Sequence, residues 1–575
     1  MLSLMRRVGG TYRATVILVI SLIAVQTVGN LFIPNLNASL INNGVVKGNI
    51  SYIWHTGLFM IAITLALGII SVVAVYYASR TAMGIGRDLR RMIFEKVQSF
   101  SEFDMAKFGT PTLITMNTND VQQIQLFIQV ALTMMVMAPI MGVGGIIMAL
   151  REDVRLSLVI VVVVPMMGVV IWLMVTKVVP LFRSMQLKID RINQILLEQI
   201  SGVRVIRAFI RTEHERVRFD VANLDLTDRG LRINRVFAIA MPTLMAILNL
   251  ATVAVVWFGG HLISTGGMPV GNLVAFITYI TQIFFSVMIA VFVVVLLPRA
   301  IASADRIEQV MATDPAVVSP VEPEYPTLHD GKVVFSSVEF GYEGSEQLIL
   351  RNVNCTIEPG KVTAVIGGTG SGKTTLVNLI PRFFDPTAGE ILLNGVDIRE
   401  RELESLWADI GIVPQSSYLF MGTVADNLRF GRPEATDEEL WKALEIAQAK
   451  EFVLEMDQGL SSFIDQGGRN VSGGQRQRLC IARALVKRPS IYVFDDCFSA
   501  LDAATDAKLR AALHSELSDT TVVLVAQRVS TVMNADWILV LDDGRLVGEG
   551  VHDDLVETCI EYREIVESQQ VQGVA

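Results

Sequence analysis

Charge is scarce in this chain: 18% of its 575 residues are Asp, Glu, Lys or Arg, against 51% that are hydrophobic. That balance excludes a purely soluble protein, and the length excludes a single domain. A basic excess is also missing. The formal net charge is −9, and no basic stripe with interleaved aromatics occurs, which argues against nucleic acid as a partner. Cysteine is sparse, with Cys355, Cys480, Cys497 and Cys559 only. Their spacing fits no metal motif, and all four fall in the half read below as cytoplasmic, where thiols stay reduced. They are expected to be buried small hydrophobes. A cleavable leader is not evident either: the apolar run behind MLSLMRRVGG is too long for a signal-peptide core and has no obvious small-residue cleavage site, so it reads as a retained first span.

What the chain has instead is long apolar runs. The mean hydropathy of +0.48 averages two unlike halves. Up to about Leu297 there are repeated runs of roughly 20 residues, enough to cross a bilayer. After about Pro326 the pattern changes to strands, Gly turns and charged helices. Six spans are predicted near residues 15–33, 57–78, 130–150, 156–175, 236–264 and 271–297, none with an Asp, Glu, Lys or Arg at its centre. An ionisable group there would flag an ion or charged-solute path. Basic residues cluster before the first span (Arg6, Arg7, Arg13), after the second (Arg80, Arg87, Arg90, Arg91, Lys96, Lys107) and after the fourth (from Arg183 through Arg211 to Arg235). The positive-inside rule then puts both termini in the cytoplasm. The connections after spans two and four are each about 50–60 residues, too long for structureless loops. They read as helices continuing beyond the bilayer, about 25 residues reaching roughly 37 Å, with turns near Phe108–Pro111 and Arg211–His214. An acidic segment with Pro315, Pro320, Pro323 and Pro326 reads as a linker with little packing of its own. The expected division is therefore a membrane domain over 1–304, a linker over 305–330 and a globular domain over 331–575.

Chemistry is concentrated in that last domain. The β-branched run Lys361–Ile366 reads as a buried strand, and Gly367, Gly368, Thr369, Gly370, Ser371, Gly372, Lys373 and Thr374 follow in the pattern G-x-x-x-x-G-K-[ST]. Thr375 then opens a helix, so backbone amides and a helix N-terminus converge on the phosphates of a nucleotide. Lys373 would neutralise phosphate oxygens, and Thr374 would offer its hydroxyl to Mg²⁺. Four apolar residues, Ile491–Phe494, end in Asp495, a carboxylate delivered where it can hold the magnesium hydration shell. Ser472, Gly473 and Gly474 precede a helix starting near Gln475 and form a second anion-binding N-terminus.

Together with these pieces, Val471-Ser472-Gly473-Gly474-Gln475 resembles the signature sequence of the ATP-binding cassette (ABC) family, and Ser201–Phe209 with six preceding and following spans resembles its exporter branch. The resemblance covers nearly the whole chain. It implies an all-α six-helix transmembrane domain with long intracellular helices, fused to a cytoplasmic α/β P-loop nucleotide-binding domain, in a multi-pass protein of the cytoplasmic membrane. It implies ATP and Mg²⁺ as cofactors and a second half-transporter as partner, because in the family the signature faces ATP held by the opposite cassette. By the same likeness Tyr342 stacks on adenine, Gln415 reaches Mg²⁺, and Ser499–Asp502 link the two sites.

Two departures stand out. The family usually has Glu directly after the strand-end aspartate and His after the next strand; this chain has Asp496 and Gln527. A carboxylate one methylene shorter is retracted from the water it polarises, and Gln carries no imidazolium charge. Both weaken one site, which is the pattern of a degenerate site in heterodimeric exporters. The expected partner keeps Glu and His. Expected cargo is hydrophobic or amphipathic, from the uncharged spans, the amides Asn30, Gln129, Asn249 and Gln282, and Met residues such as Met134, Met141 and Met167. A lipid or peptide exporter, a metal-chelate importer with an exporter-like fold and an ATP-gated regulatory or channel subunit are the alternatives.

Overall fold

The computed structural model describes residues 10–342, 344–345, 347–499 and 501–572. Arg6, Arg7, Ala500 and the side chain of Arg183 lie outside the described residues. Two compact units result, one of residues up to Gln98 with Pro111–Thr313, the other of Ser99–Thr110 with Asp314 onwards.

Among the described residues of the first unit six helices are long and apolar enough to cross a membrane: Arg13–Val45, Ile50–Gln98, Thr110–Glu152, Leu158–Ser201, Thr212–Ser264 and Val270–Ala312. Each predicted span falls on one of them, the fourth beginning two residues late. The second helix has 49 residues and at 1.5 Å per residue runs about 74 Å, more than twice a hydrocarbon core of about 30 Å. The long connections are therefore helix, as expected. The first turn is also where the sequence puts it. A short helix, Glu102–Phe108, is opened by a Ser101–Asp104 capping box and closed by Gly109 at φ 77°, after which Thr110 and Pro111 start the third long helix. The second turn lies earlier than Arg211–His214. Helix Val203–Ala208 ends at Phe209, Ile210 takes φ 54°, and Glu213 and His214 already occupy the first turn of the fifth long helix. Acidic residues there suit the positive end of the helix dipole, so the helix starts as soon as they are available.

The start of the expected linker is helix instead. The sixth helix continues through Asp305–Ala312 because Ile307 and Val310 are fully buried on its inner face. Its Ser303 hydroxyl and Arg306 guanidinium donate to Asp120 at 3.0 and 2.8 Å. Asp120 is fully buried at the end of a π-helical turn, Met116–Asp120, in the third long helix. The rest of the linker does not hang free. Ser319 Oγ accepts from Leu403 N, Glu324 N donates to Glu400 O, and the His329 ring sits 3.0 Å from Asp409.

The described residues of the second unit form twelve strands: β1 (Val333–Phe340), β2 (Leu350–Ile357), β3 (Val362–Gly367), β4 (Ala388–Leu393), β5 (Val396–Asp397), β6 (Ile410–Val413), β7 (Gly422–Thr423), β8 (Phe463–Ile464), β9 (Ile491–Asp495), β10 (Thr521–Val525), β11 (Trp537–Asp542) and β12 (Arg545–Gly550). One antiparallel sheet has the order β2-β1-β4-β5, and the main sheet has the order β12-β11-β3-β10-β9-β6. From β11 to β6 the main sheet is parallel. Its parallel strands are mainly apolar because both faces are covered. Along β9, Ile491 and Val493 enter the core shared with the antiparallel sheet, while Tyr492 and Phe494 enter the core built with helix Gly473–Lys487. Strand β10 divides the same way, Val523 and Val525 to one core and Val522 and Leu524 to the other.

Candidate nucleotide site

Strand order brings the site together. The parallel strands β3, β10, β9 and β6 are neighbours, and each leads at its carboxyl end into a residue singled out above: the phosphate loop, Gln527, Asp495 with Asp496, and Gln415. Ligands of open α/β sheets bind at this edge. The sequence supplied four separate motifs; the sheet makes them one site.

The phosphate loop is held by close backbone approaches. A Cβ on Gly367 would lie 2.1 Å from Leu541 O, and one on Gly372, at φ 98°, would lie 2.9 Å from Leu350. Only glycine fits both places. Lys373 is 8% exposed, and its Nζ donates to Gly367 O at 2.9 Å and Gly368 O at 2.6 Å. Burial pushes this ammonium below its ordinary pKa, while Asp496 and Asp495 pull it back up. A cation held by loop carbonyls and the Ser371 hydroxyl can exchange them for phosphate oxygens without moving far. Ser371 and Thr375 are buried in the loop and the following helix, while Thr369 is exposed.

Next to the loop, Thr374 Oγ1 donates to Asp495 Oδ1 at 3.1 Å. Burial raises the Asp495 pKa; the Thr374 hydrogen bond opposes this, and the Asp496 charge adds to it. A hydroxyl and a carboxylate in contact form the oxygen donor set that Mg²⁺ takes alongside nucleotide phosphates. Among the described residues no group of three or more His, Cys, Asp or Glu is placed to hold a metal ion. Thr374, Asp495 and Gln415 are the residues that would hold Mg²⁺.

Asp496 departs from regular backbone. It takes φ 45° immediately after β9, and its N–H donates to Val525 O at 3.1 Å. Left-handed backbone at a non-glycine residue is strain retained by its surroundings. The side chain is held from both flanking strands: Gln527 Nε2 donates to its Oδ2 at 3.1 Å, and Gln415 also hydrogen-bonds it. Burial raises this carboxyl's pKa, and Gln415, Lys373, Arg528 and Gln527 lower it in that order. Arg528 was not singled out in the sequence, although a basic residue beside Gln527 was a signal for it. Ser499 Oγ closes the turn on Asp496 O at 2.9 Å.

Tyr342 is 38% exposed and packs edge-on against Phe340 and Phe384, at 5.0 and 5.5 Å between centroids. Phe384 could not be paired with it from sequence spacing. The signature lies apart from these residues. Ser472 accepts from Gln475 N at 3.2 Å, and Gln475 Oε1 accepts from Ser472 N at 2.9 Å, a complete capping box on helix Gly473–Lys487. Gly473 is exposed and Gly474 half-buried. Among the described residues no hydrogen bond joins Ser472–Gln475 to the phosphate loop.

Comparison with known proteins accords with this architecture. Residues 16–287 match the ABC transporter transmembrane region, and residues 350–499 match the ABC transporter family. Over 575 residues the chain is 44% identical to an uncharacterized ABC transporter ATP-binding protein of Mycobacterium tuberculosis, covering 99% of this chain and 98% of that one. It is 31% identical over 496 residues to a putative multidrug export ATP-binding/permease protein of Bacillus subtilis, covering 86% of each. The fold is similar to that of a bacterial Atm1-family ABC exporter with ATP bound, with a TM-score of 0.80, 98% of both chains covered and 24% identity. The chain therefore belongs to the ABC transporter family, a multi-pass membrane protein that joins six bilayer-length helices to an ATP-binding domain in an exporter-type fold, which implies ATPase-coupled transport.

Proposed function

We propose that this chain is the degenerate-site subunit of a heterodimeric exporter that moves hydrophobic or amphipathic small molecules out of the cell. The observation that carries the reading is the Asp496–Gln527 hydrogen bond. Where the family pairs a longer carboxylate with an imidazole, this site pairs a short carboxylate with a neutral amide. Such a site can retain Mg-ATP through Lys373, Thr374 and Asp495 yet hydrolyse it slowly. The signature Ser472–Gln475, intact and separate from the chain's own phosphate loop, is available to complete a partner's site. There the partner's Glu and His carry turnover and drive alternating access, with this chain's ATP keeping the cassettes in contact.

The basic flanks of the first, second and fourth spans support an orientation with both termini and the ATP-binding domain in the cytoplasm. Uncharged span centres and a relative named for multidrug export support amphipathic cargo. The test is to purify the chain alone and with a half-transporter carrying Glu and His at the matching positions. The chain alone should bind Mg-ATP with little phosphate release, and the pair should hydrolyse ATP and accumulate an amphipathic dye in inside-out vesicles. Full ATPase and transport by the chain alone would refute the heterodimer.

A further inference from the structure

A groove of about 560 Å³ lies between the fourth and fifth long helices of the membrane unit. Its walls are apolar: Leu158, Val162, Leu250 and Phe258 line it and are 58–68% exposed. Its floor includes buried Ile247 and Ala251. Only the mouth is polar, where Arg155 and His261 stand. Among the described residues neither side chain enters an ion pair, and both residues are exposed.

Dimensions narrow the occupant. From Leu158 to Met166 the groove follows the fourth helix for about 12 Å at 1.5 Å per residue, and with Arg155 in the turn just before that helix its length approaches one leaflet of a hydrocarbon core about 30 Å thick. The cationic mouth therefore sits at headgroup depth while the apolar trough ends near the bilayer centre. A flat apolar helix face in a bilayer would be covered by mobile lipid tails without preference. A trough one leaflet deep with a guanidinium at its mouth selects an acyl chain and an anion carried on the same molecule.

We propose that this groove binds one phospholipid with an anionic headgroup, its acyl chain lying between the fourth and fifth helices and its phosphate meeting Arg155 and His261. On the orientation proposed above the site faces the outer leaflet; the binding itself does not depend on that orientation or on the heterodimer.

The experiment is native mass spectrometry of the full-length protein in detergent, with phosphatidylglycerol, phosphatidylcholine and glycerol 1-phosphate as probes. Phosphatidylglycerol should be retained in preference to phosphatidylcholine, and glycerol 1-phosphate should not be retained. Arg155→Gln should lower phosphatidylglycerol retention about fivefold, the value of one interfacial cation. Ala254→Trp, which fills the groove wall, should abolish retention of both lipids. If that variant fails to fold, the double substitution Arg155→Gln/His261→Gln takes its place and should erase the preference for phosphatidylglycerol. Unchanged retention in the filled or neutralised groove would overturn the proposal. So would glycerol 1-phosphate binding as well as the lipid, or loss of a subunit from the assembly on filling the groove, which would assign it to another polypeptide.

Discussion

Replacing Asp496 by Glu tests whether the reach of this carboxylate limits hydrolysis. The added methylene advances the charged group by about one carbon–carbon bond, ~1.5 Å. A displacement near 1 Å at a reacting centre costs on the order of 10²-fold, or about 2.7 kcal/mol of barrier. Asp496→Glu in the purified chain, where a second copy supplies the signature, should therefore raise kcat for ATP by up to about 10²-fold. Affinity for Mg-ATP should change little, since Lys373, Thr374 and Asp495 are untouched. A cost is expected elsewhere. At φ 45° a longer side chain adds on the order of 1 kcal/mol of left-handed strain, visible as a lower Tm and not as a lower kcat. Phosphate release at saturating Mg-ATP in nanodiscs, with nucleotide titration in parallel, separates these effects. Adding Gln527→His should raise the rate further, by supplying a charge that the amide lacks. If kcat stays flat while Mg-ATP binding and folding are preserved, carboxylate reach is not what slows this site, and the degenerate reading loses its basis.

Two other expectations follow from buried carboxylates. Burial raises the Asp495 pKa, so its ionised form is lost on acidification before that of an ordinary aspartate. Mg-ATP affinity should be full at neutral pH and fall as pH drops through the raised pKa. ATP without Mg²⁺ should bind slightly better over the same interval, because a repulsive charge disappears. A common direction for both titrations would contradict the assignment of Asp495 to the metal. In the membrane unit, Arg306→Ala leaves the buried Asp120, among the described residues, with the Ser303 hydroxyl as its side-chain partner and should cost about 1–3 kcal/mol. The double variant with Asp120→Asn should recover most of the lost Tm in detergent, and no recovery would show that the two side chains act independently.

How much could be read in advance depended on the range of the interactions. The phosphate loop, Asp495 and the signature were legible because each is a local device whose geometry is written in adjacent residues. The spans were legible because a bilayer imposes length and apolarity on a continuous stretch. What failed was set by distant partners. The sixth helix extends past the expected boundary because Arg306 and Ser303 meet Asp120, 186 and 183 residues away, and acidic composition alone made that stretch look like linker. The linker's Ser319, Glu324 and His329 are anchored to a segment near residue 400 that no local pattern couples to them. Gln527 was picked out as a substitution, yet its partner could be named only once β9 and β10 were seen side by side.

That adjacency has one more consequence. Asp496 is flanked by two amides, Gln415 after β6 and Gln527 after β10. An amide fixes a neighbour's position but holds no proton to lend and no net charge to withdraw. The two glutamines thus make a clamp with no ionic setting: it fixes where the carboxylate stands at any pH near neutrality and has no titrating group of its own through which a cell could adjust it.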